Sequence, residues 1–437
     1  MSALEIVTLI VTWCVDALFL IALAGLFALA GSFLALTVLH YRHRARGLAD
    51  EAALMEAALP DDLPSVLVQV PCYNEGKVIE RILASLGGLD WPKDRLTIQV
   101  IDQSDDGTTE LARAAAAALR KDGIAAEVIF RPVREGYKAG ALAEGLEKSD
   151  APFIAVFDVD YTVRPDFLKR CMRAMVADER LGFVQARIEY ENAERNWLTR
   201  AQQITLDAHY AVEQASRSWA GLPFQFDGSG GIWRRAAIEA AGGWDGKTLS
   251  EDLDLSFRAQ LMGWRARYLV DTTVRGEMPE DLRAWRVQQS RWSKGYMEVS
   301  VNLIPALWRA PWPLGTRLLA MLQVGLAAFH LLLIAAIVTG LASLALHGGF
   351  VPALLIPPVI LVVLGLVAVV GLTYPGHRLF GRGGVGSYIG RLARVPPLYV
   401  YLAIANVKGV IDALRGRASE FARTPKKGAN GPAPETD

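Results

Sequence analysis

The chain has 437 residues, longer than a usual single domain, so more than one structural unit is expected. Its 46 Lys and Arg balance 46 Asp and Glu, which argues against a general nucleic-acid binder. Three cysteines, Cys14, Cys72 and Cys171, lie far apart without metal-ligand spacing, which excludes a disulfide framework and fits a reducing compartment.

In chain order, the first feature is apolar. Ile6 to Leu39 carries one charge, Asp16, over more than the ~20 residues that a helix needs to cross a bilayer. "HYRHRARG" follows, and Arg42, Arg44 and Arg46 put this flank on the cytoplasmic side by the positive-inside rule. Residues 1–45 therefore read as an N-terminal transmembrane segment. Residues 60–295 then alternate between strand and helix patterns. Strands are predicted at "SVLVQVP" (65–71), "LTIQVID" (96–102), "AEVIFRP" (126–132) and "FIAVFD" (153–158). Helices are predicted between them at 77–89, 108–123 and 137–149. Repeated βα units imply an α/β fold with a largely parallel sheet covered on both faces.

Beyond this domain, Leu318–Leu346 and Val351–Leu372 are long enough to span. Arg378, Arg382, Arg391 and Arg394 then mark a cytoplasmic flank. Pro396–Leu414 is a weaker run, since it holds Asn406, Lys408 and Asp412. The basic tail "RGRASEFARTPKK" is expected in the cytoplasm, yet three C-terminal spans would leave it outside. The last run is therefore a span, a re-entrant segment or an interfacial helix.

In parallel α/β sheets, ligands bind beyond the carboxyl ends of the strands. Those ends carry "PCYNE" (71–75), "DQSDDGT" (102–108), "REGYKAG" (134–140) and "DVD" (158–160). One such cluster is an ordinary solvated turn; four on one rim point to a site. Gly136 and Gly140 flank Lys138 at a helix entry, where a cation and free N–H groups can meet a phosphate. Asp158 and Asp160 offer hard oxygen ligands suited to Mg²⁺ or Mn²⁺, which bind together with substrate phosphates. In "LSEDLDLSFRAQLMGW" (249–264), Ser250 is a good N-cap and puts Glu251 and Asp252 in the first helical turn. Acids there favour the helix dipole, and a general base suits the same position. "QQSRWSKG" (288–295) adds an amide, a guanidinium and an indole. Trp292 reads either as packing or as a sugar-stacking face.

Together these motifs resemble the processive membrane glycosyltransferases of family 2, the cellulose and hyaluronan synthase superfamily. The nearest likeness is to plant cellulose-synthase-like A and C proteins and their bacterial relatives. It is carried by "VQVPCYNE", "WPKDRLTIQVID", "GYKAGAL", "FDVDYTVRPDFL", "LGFVQAR", "FDGSGGIWRRAAIEAAGGW", "SEDLDLSFRAQLMGW" and "QQSRW". The resemblance implies a GT-A domain over 60–295, an interfacial helix and membrane region over 296–415, and a cytoplasmic tail over 416–437.

Carried over residue by residue, it makes Asp252 the catalytic base and Asp160, with Asp158, the metal site. Pro71, Tyr73, Glu75, Asp102, Gln103, Lys138, Asp158 and Arg291 fall on the donor side. Glu251, Gln288 and Trp292 fall on the acceptor side. Phe421, Thr424 and Lys426 match a gating loop, with Arg423 where Val is usual. Asp102-Gln103-Ser104 departs from the family's D-D-S or D-D-G; Gln both donates and accepts where a carboxylate only accepts, which leaves UDP-glucose and GDP-mannose both open as donor.

The implied activity is an inverting, metal-dependent hexosyl transfer that builds a β-linked mannan, glucomannan or β-glucan. Its partners would be a nucleotide sugar, the growing polysaccharide, the lipid bilayer and accessory export proteins, with the catalytic domain in the cytoplasm. A lipid-glycosylating enzyme and a non-catalytic scaffold or transporter are the alternatives.

Overall fold

The computed structural model describes residues 2–349 and 352–417, so Phe421, Thr424 and Lys426 lie outside the described residues. The first helix, α1 (Ala3–Glu56), starts at a capping box: the Ser2 hydroxyl accepts from Glu5 N, and Ser2 N donates to the Glu5 carboxylate. The apolar run ends at Leu39, but the helix continues to Glu56 because no proline interrupts it and its far end is anchored. Glu51, 2% exposed, accepts from Val270 N through Oε2 and from Asp271 N through Oε1, each at 2.9 Å.

Strands and helices then alternate: β1 (Val66–Cys72), α2 (Ile79–Gly87), β2 (Leu96–Asp102), α3 (Thr108–Lys121), β3 (Ala125–Phe130), α4 (Tyr137–Glu147) and β4 (Phe153–Val156). All seven lie within a few residues of their predicted bounds. The chain goes on through β5 (Thr162–Val163), α5 (Phe167–Ala177), β6 (Leu181–Tyr190) and α6 (Trp197–Ala208). A π-helical turn (His209–Gln214) leads into α7 (Ala215–Trp219), β7 (Gly231–Arg234), α8 (Arg235–Ala240), α9 (Glu251–Leu261) and β8 (Arg265–Gly276).

The eight strands form one sheet in the order β3-β2-β1-β4-β7-β6-β8-β5. Its first four strands are parallel, as are β6 and β8; β7 and β5 pair antiparallel with their neighbours. The register sets Cys72 beside Asp102 and Gln69 beside Val156, so β1, β2 and β4 all end on one edge. Where β8 bulges, its ladder partner jumps from Leu269 to Thr273, and the freed N–H groups of Val270 and Asp271 are the ones Glu51 takes.

The C-terminal region holds α10 (Leu282–Arg309), α11 (Leu314–Val324), α12 (Ala328–Leu346), α13 (Pro352–Leu379), α14 (Val385–Leu392) and α15 (Val395–Leu414). Among the described residues, four helical stretches are long and apolar enough to cross a membrane: Ala3–Glu56, Leu314–Leu346, Leu355–Leu379 and Val385–Leu414. Phe19, Leu23 and Leu26 of α1 pack with Ala336 of α12. The α15 helix lies along α10: Ser290 Oγ donates to Ala405 O at 2.9 Å, and just past the end of α15 Lys294 Nζ donates to Arg417 O at 2.5 Å. Leu398 and Leu402 of α15 also cluster with Leu198 and Ala201 of α6 and Trp285 of α10.

Candidate active site

The edge where β1, β2 and β4 end opens into a cavity of about 500 Å³. Pro71, Tyr73, Glu75, Gln103, Lys138, Asp158, Asp160, Glu251, Asp252, Gln288, Arg291 and Trp292 all line it. Pro71 and Trp292, 221 positions apart in sequence, are thus brought to one space.

The α4 entry is built on glycine. Gly136, at φ +67°, holds the left-handed turn, and a Cβ on Gly140 would fall 2.2 Å from Glu135 O. This tight turn aims Lys138 across the cavity, where its Nζ meets Asp158 Oδ1 at 2.7 Å and Gly228 O at 2.9 Å. Burial by itself would lower the ammonium's pKa, but Asp158 and Glu251 outweigh it and hold it above the usual value. Asp160 is buried, and its Oδ2 accepts from Glu277 N at 3.3 Å. Glu277 in turn bonds Arg81 at 2.9 Å.

Asp252 sits in the first turn of α9. Its Oδ1 accepts from Leu253 N at 2.8 Å, while Oδ2 has no hydrogen-bond partner among the described residues. Burial and the neighbouring Glu251 push its carboxyl up to about 7, against the pull of Lys138. Burial also raises Glu251 and lowers Arg291. Ser250 stands at the N-cap position but makes no capping bond. Instead it packs on α10, where a Cβ on Gly295 would fall 2.3 Å from Ser250 Oγ. That contact joins the helix of Asp252 to the helix of Trp292, whose indole is 38% exposed.

Asp102 stands apart from the expected donor contacts. It is fully buried, is not among the cavity-lining residues, and spends both oxygens internally. Oδ1 accepts from Ser104 N at 3.1 Å and Ser104 Oγ at 2.5 Å, and Oδ2 from Thr109 Oγ1 at 2.5 Å. Gln103 takes the cavity side, and its buried Nε2 has no partner among the described residues. Sequence reasoning missed Arg134, which stacks 3.6 Å over the Tyr73 ring, and also Glu277, His209, Glu213 and Asp227. For Glu277 there was a signal, an acid directly after a strand. Arg134 opens the "REGYKAG" stretch and Asp227 lies in "FDGSGGIWRRAAIEAAGGW", whereas His209 and Glu213 gave no signal.

A family model described as "Glycosyltransferase like family 2" matches residues 64–295, more than half of the chain. The chain belongs to this glycosyltransferase family. It is 42% identical over 238 residues to glucomannan 4-beta-mannosyltransferase 2 of Arabidopsis thaliana, covering 54% of this chain and 45% of that relative. It is 38% identical over 271 residues to glucomannan 4-beta-mannosyltransferase 1 of Oryza sativa subsp. japonica, covering 57% and 52%. This family 2 chain thus spans about half the length of the curated relatives it matches. Its fold is shared with a solved mannosyltransferase from Pyrobaculum calidifontis in complex with GDP-Man and Mn²⁺, at TM-score 0.57 and 20% identity, over 88% of this chain and 99% of that one. The GT-A fold expected from the motifs is therefore the fold of the glycosyltransferase domain.

Proposed function

We propose that this chain transfers mannose from GDP-mannose to the growing end of a β-linked polysaccharide, with inversion, from a cytoplasmic domain seated against its membrane helices. The observation that carries the reading is Asp252, a cavity carboxylate with one unbonded oxygen and a pKa raised to about 7. A group poised near neutral pH suits general-base work. Mannose is favoured over glucose because the curated relatives are named as mannosyltransferases and the solved neighbour holds GDP-Man.

Asp252 Oδ2 accepts the proton of the acceptor hydroxyl as that oxygen attacks the anomeric carbon. The carbon–oxygen bond to the diphosphate breaks on the opposite face, which inverts the configuration. Lys138 and Arg291 supply positive charge for the departing nucleoside diphosphate. Gln103, with its unpaired Nε2, offers a hydrogen bond to the nucleotide. Asp158 and Asp160 line the same cavity, and the described residues contain no group of three or more His, Cys, Asp or Glu able to hold a metal. This two-carboxylate set fits Mg²⁺ or Mn²⁺, which Asp158 and Asp160 would hold together with substrate phosphates. When bound, such a cation neutralises charge on the leaving diphosphate.

The test is a product assay in membranes or detergent with GDP-mannose and UDP-glucose supplied singly, with and without EDTA. The expected result is an EDTA-sensitive mannose polymer. A polymer from UDP-glucose alone would overturn the donor, and a single sugar on lipid would overturn the polymer.

A further inference from the structure

Two helices contribute many of the residues that line this cavity, the slot. One face, α6 and its π turn, presents Gln202, Thr205, His209 and Glu213. A second face, α10, presents Trp285, Gln288, Trp292 and Tyr296. Each set recurs at three- or four-residue spacing, so each wall is about three turns long, roughly 16 Å at 1.5 Å per residue. One wall is aromatic and the other hydrogen-bonding. A saccharide has the same two-sidedness, with C–H faces and a rim of hydroxyls. Tyr296, Leu326 and Tyr399 line the same cavity as Trp292.

From this arrangement we infer that Glu213 binds the acceptor, taking a hydrogen bond from a hydroxyl of the sugar behind the reacting end. Glu213 Oε2 is held by His209 Nδ1 at 2.9 Å, and His209 Nε2 reaches Asp227 Oδ1 at 3.1 Å. Asp227 Oδ1 is fixed in turn by Gln214 Nε2 at 3.0 Å and Gln225 Nε2 at 3.1 Å. Glu213 Oε1, by contrast, accepts no hydrogen bond from the described residues, and the side chain borders the slot with 15% of its surface exposed. Burial pulls the imidazole's pKa down, yet the carboxylates of Asp227 and Glu213 prevail and raise it to about 10. His209 is therefore a cation at neutral pH and donates from both ring nitrogens, so Glu213 is an acceptor-only group locked in one orientation. A π turn inside a helix is uncommon and often marks a functional site. Here it carries both His209 and Glu213 to the slot.

This assignment rests on the glycosyltransferase reading above. The experiment uses the full chain in nanodiscs with GDP-mannose, Mn²⁺ and labelled β-1,4-linked manno-oligosaccharides, and reads KM separately for donor and acceptor. Glu213→Gln should raise the acceptor KM about tenfold or more, the range for a lost hydrogen bond to a charged group, while the donor KM moves less than about twofold. Should that variant fail to fold, Glu213→Asp keeps the charge opposite His209 but withdraws the oxygens by one methylene, and the same KM split is expected. An acceptor KM that stays put in an active, folded variant, or a donor KM that rises instead, overturns the role of Glu213 alone. Wild-type protein that releases no nucleotide from GDP-mannose or UDP-glucose with any acceptor overturns the glycosyltransferase reading, and the assignment with it.

Discussion

Lys138 Nζ lies 2.7 Å from Asp158 Oδ1, so the cation of the glycine-flanked turn and the first acid of the D-x-D stretch are direct partners. The two come from different βα units, and Gly228 O makes the second contact that holds the ammonium. A diphosphate entering here would compete with Asp158 for the same charge. Lys138→Met should therefore weaken donor binding about tenfold or more, as expected for a lost charge-assisted hydrogen bond, and leave the fold intact. Calorimetric titration of GDP-mannose checks this. Unchanged affinity in the folded variant would take Lys138 out of the donor site.

Asp252 gives the pH prediction. Burial and Glu251 raise its carboxyl to about 7, and a general base works only when ionised. Transfer should thus fall as pH drops through 7, about tenfold per unit once below it, and level off above. Asp252→Asn should remove this limb and lower the rate by about 10²- to 10⁴-fold, with donor affinity little changed. A variant that keeps the limb at a near wild-type rate would assign the base elsewhere.

Much of this site was legible because buried parallel strands read as apolar runs, and the acids of β2 and β4 stop those runs abruptly. Asp102 shows the limit. Its partners Ser104 and Thr109 lie two and seven residues on, a local side-chain turn that competes with any ligand role. His209 and Glu213 left no trace, and Asp227 stood in the "FDGSGG" stretch without an assigned role, since their meeting depends on how α6 and the β7 loop pack. The length of α1 was hidden for a similar reason: hydrophobicity ends at Leu39, while the contact that extends the helix is made 219 residues away.

That contact has its own consequence. Among the described residues, Glu51 is the side chain that accepts from the N–H groups of Val270 and Asp271. Glu51→Ala strands the buried Val270 donor, worth about 1–3 kcal/mol, and the part-buried Asp271 donor, worth less. Thermal unfolding in detergent should shift down by several degrees, while Glu51→Gln, which still offers one acceptor oxygen, should shift less. Equal melting for all three proteins would mean that water replaces the carboxylate.

The course of α15 bears on the tail. The bond from Ser290 of α10 ties it to the helix of the QQSRW stretch, Lys294 holds Arg417 O just past its end, and Leu398 and Leu402 pack on α6. We propose that α15 lies in the interface, which leaves two C-terminal crossings and a cytoplasmic tail, as the basic residues of 415–427 favour. A C-terminal green fluorescent protein fusion should fluoresce, and an alkaline phosphatase fusion at the same point should be inactive. The reverse pattern would make α15 a true span.

Trp292 separates a polymerising enzyme from one that adds a single sugar. An enzyme that extends a chain must hold its product between additions, and the exposed indole borders the cavity one turn before Tyr296 on α10. The ring is offered to the slot while Ser290, on the other side of the helix, is bound to α15. A pyranose stacked on it would lie with its hydroxyls toward the polar wall of α6. Trp292→Ala should then shorten the product sharply, while donor binding persists because Lys138, Asp158 and Asp160 are untouched. Packing alone predicts the opposite pattern: lower expression or melting temperature with product length unchanged. Gel filtration of labelled product from wild-type and Trp292→Ala protein, alongside a melting curve for each, distinguishes them. Long product from a well-folded Trp292→Ala protein would end the stacking role.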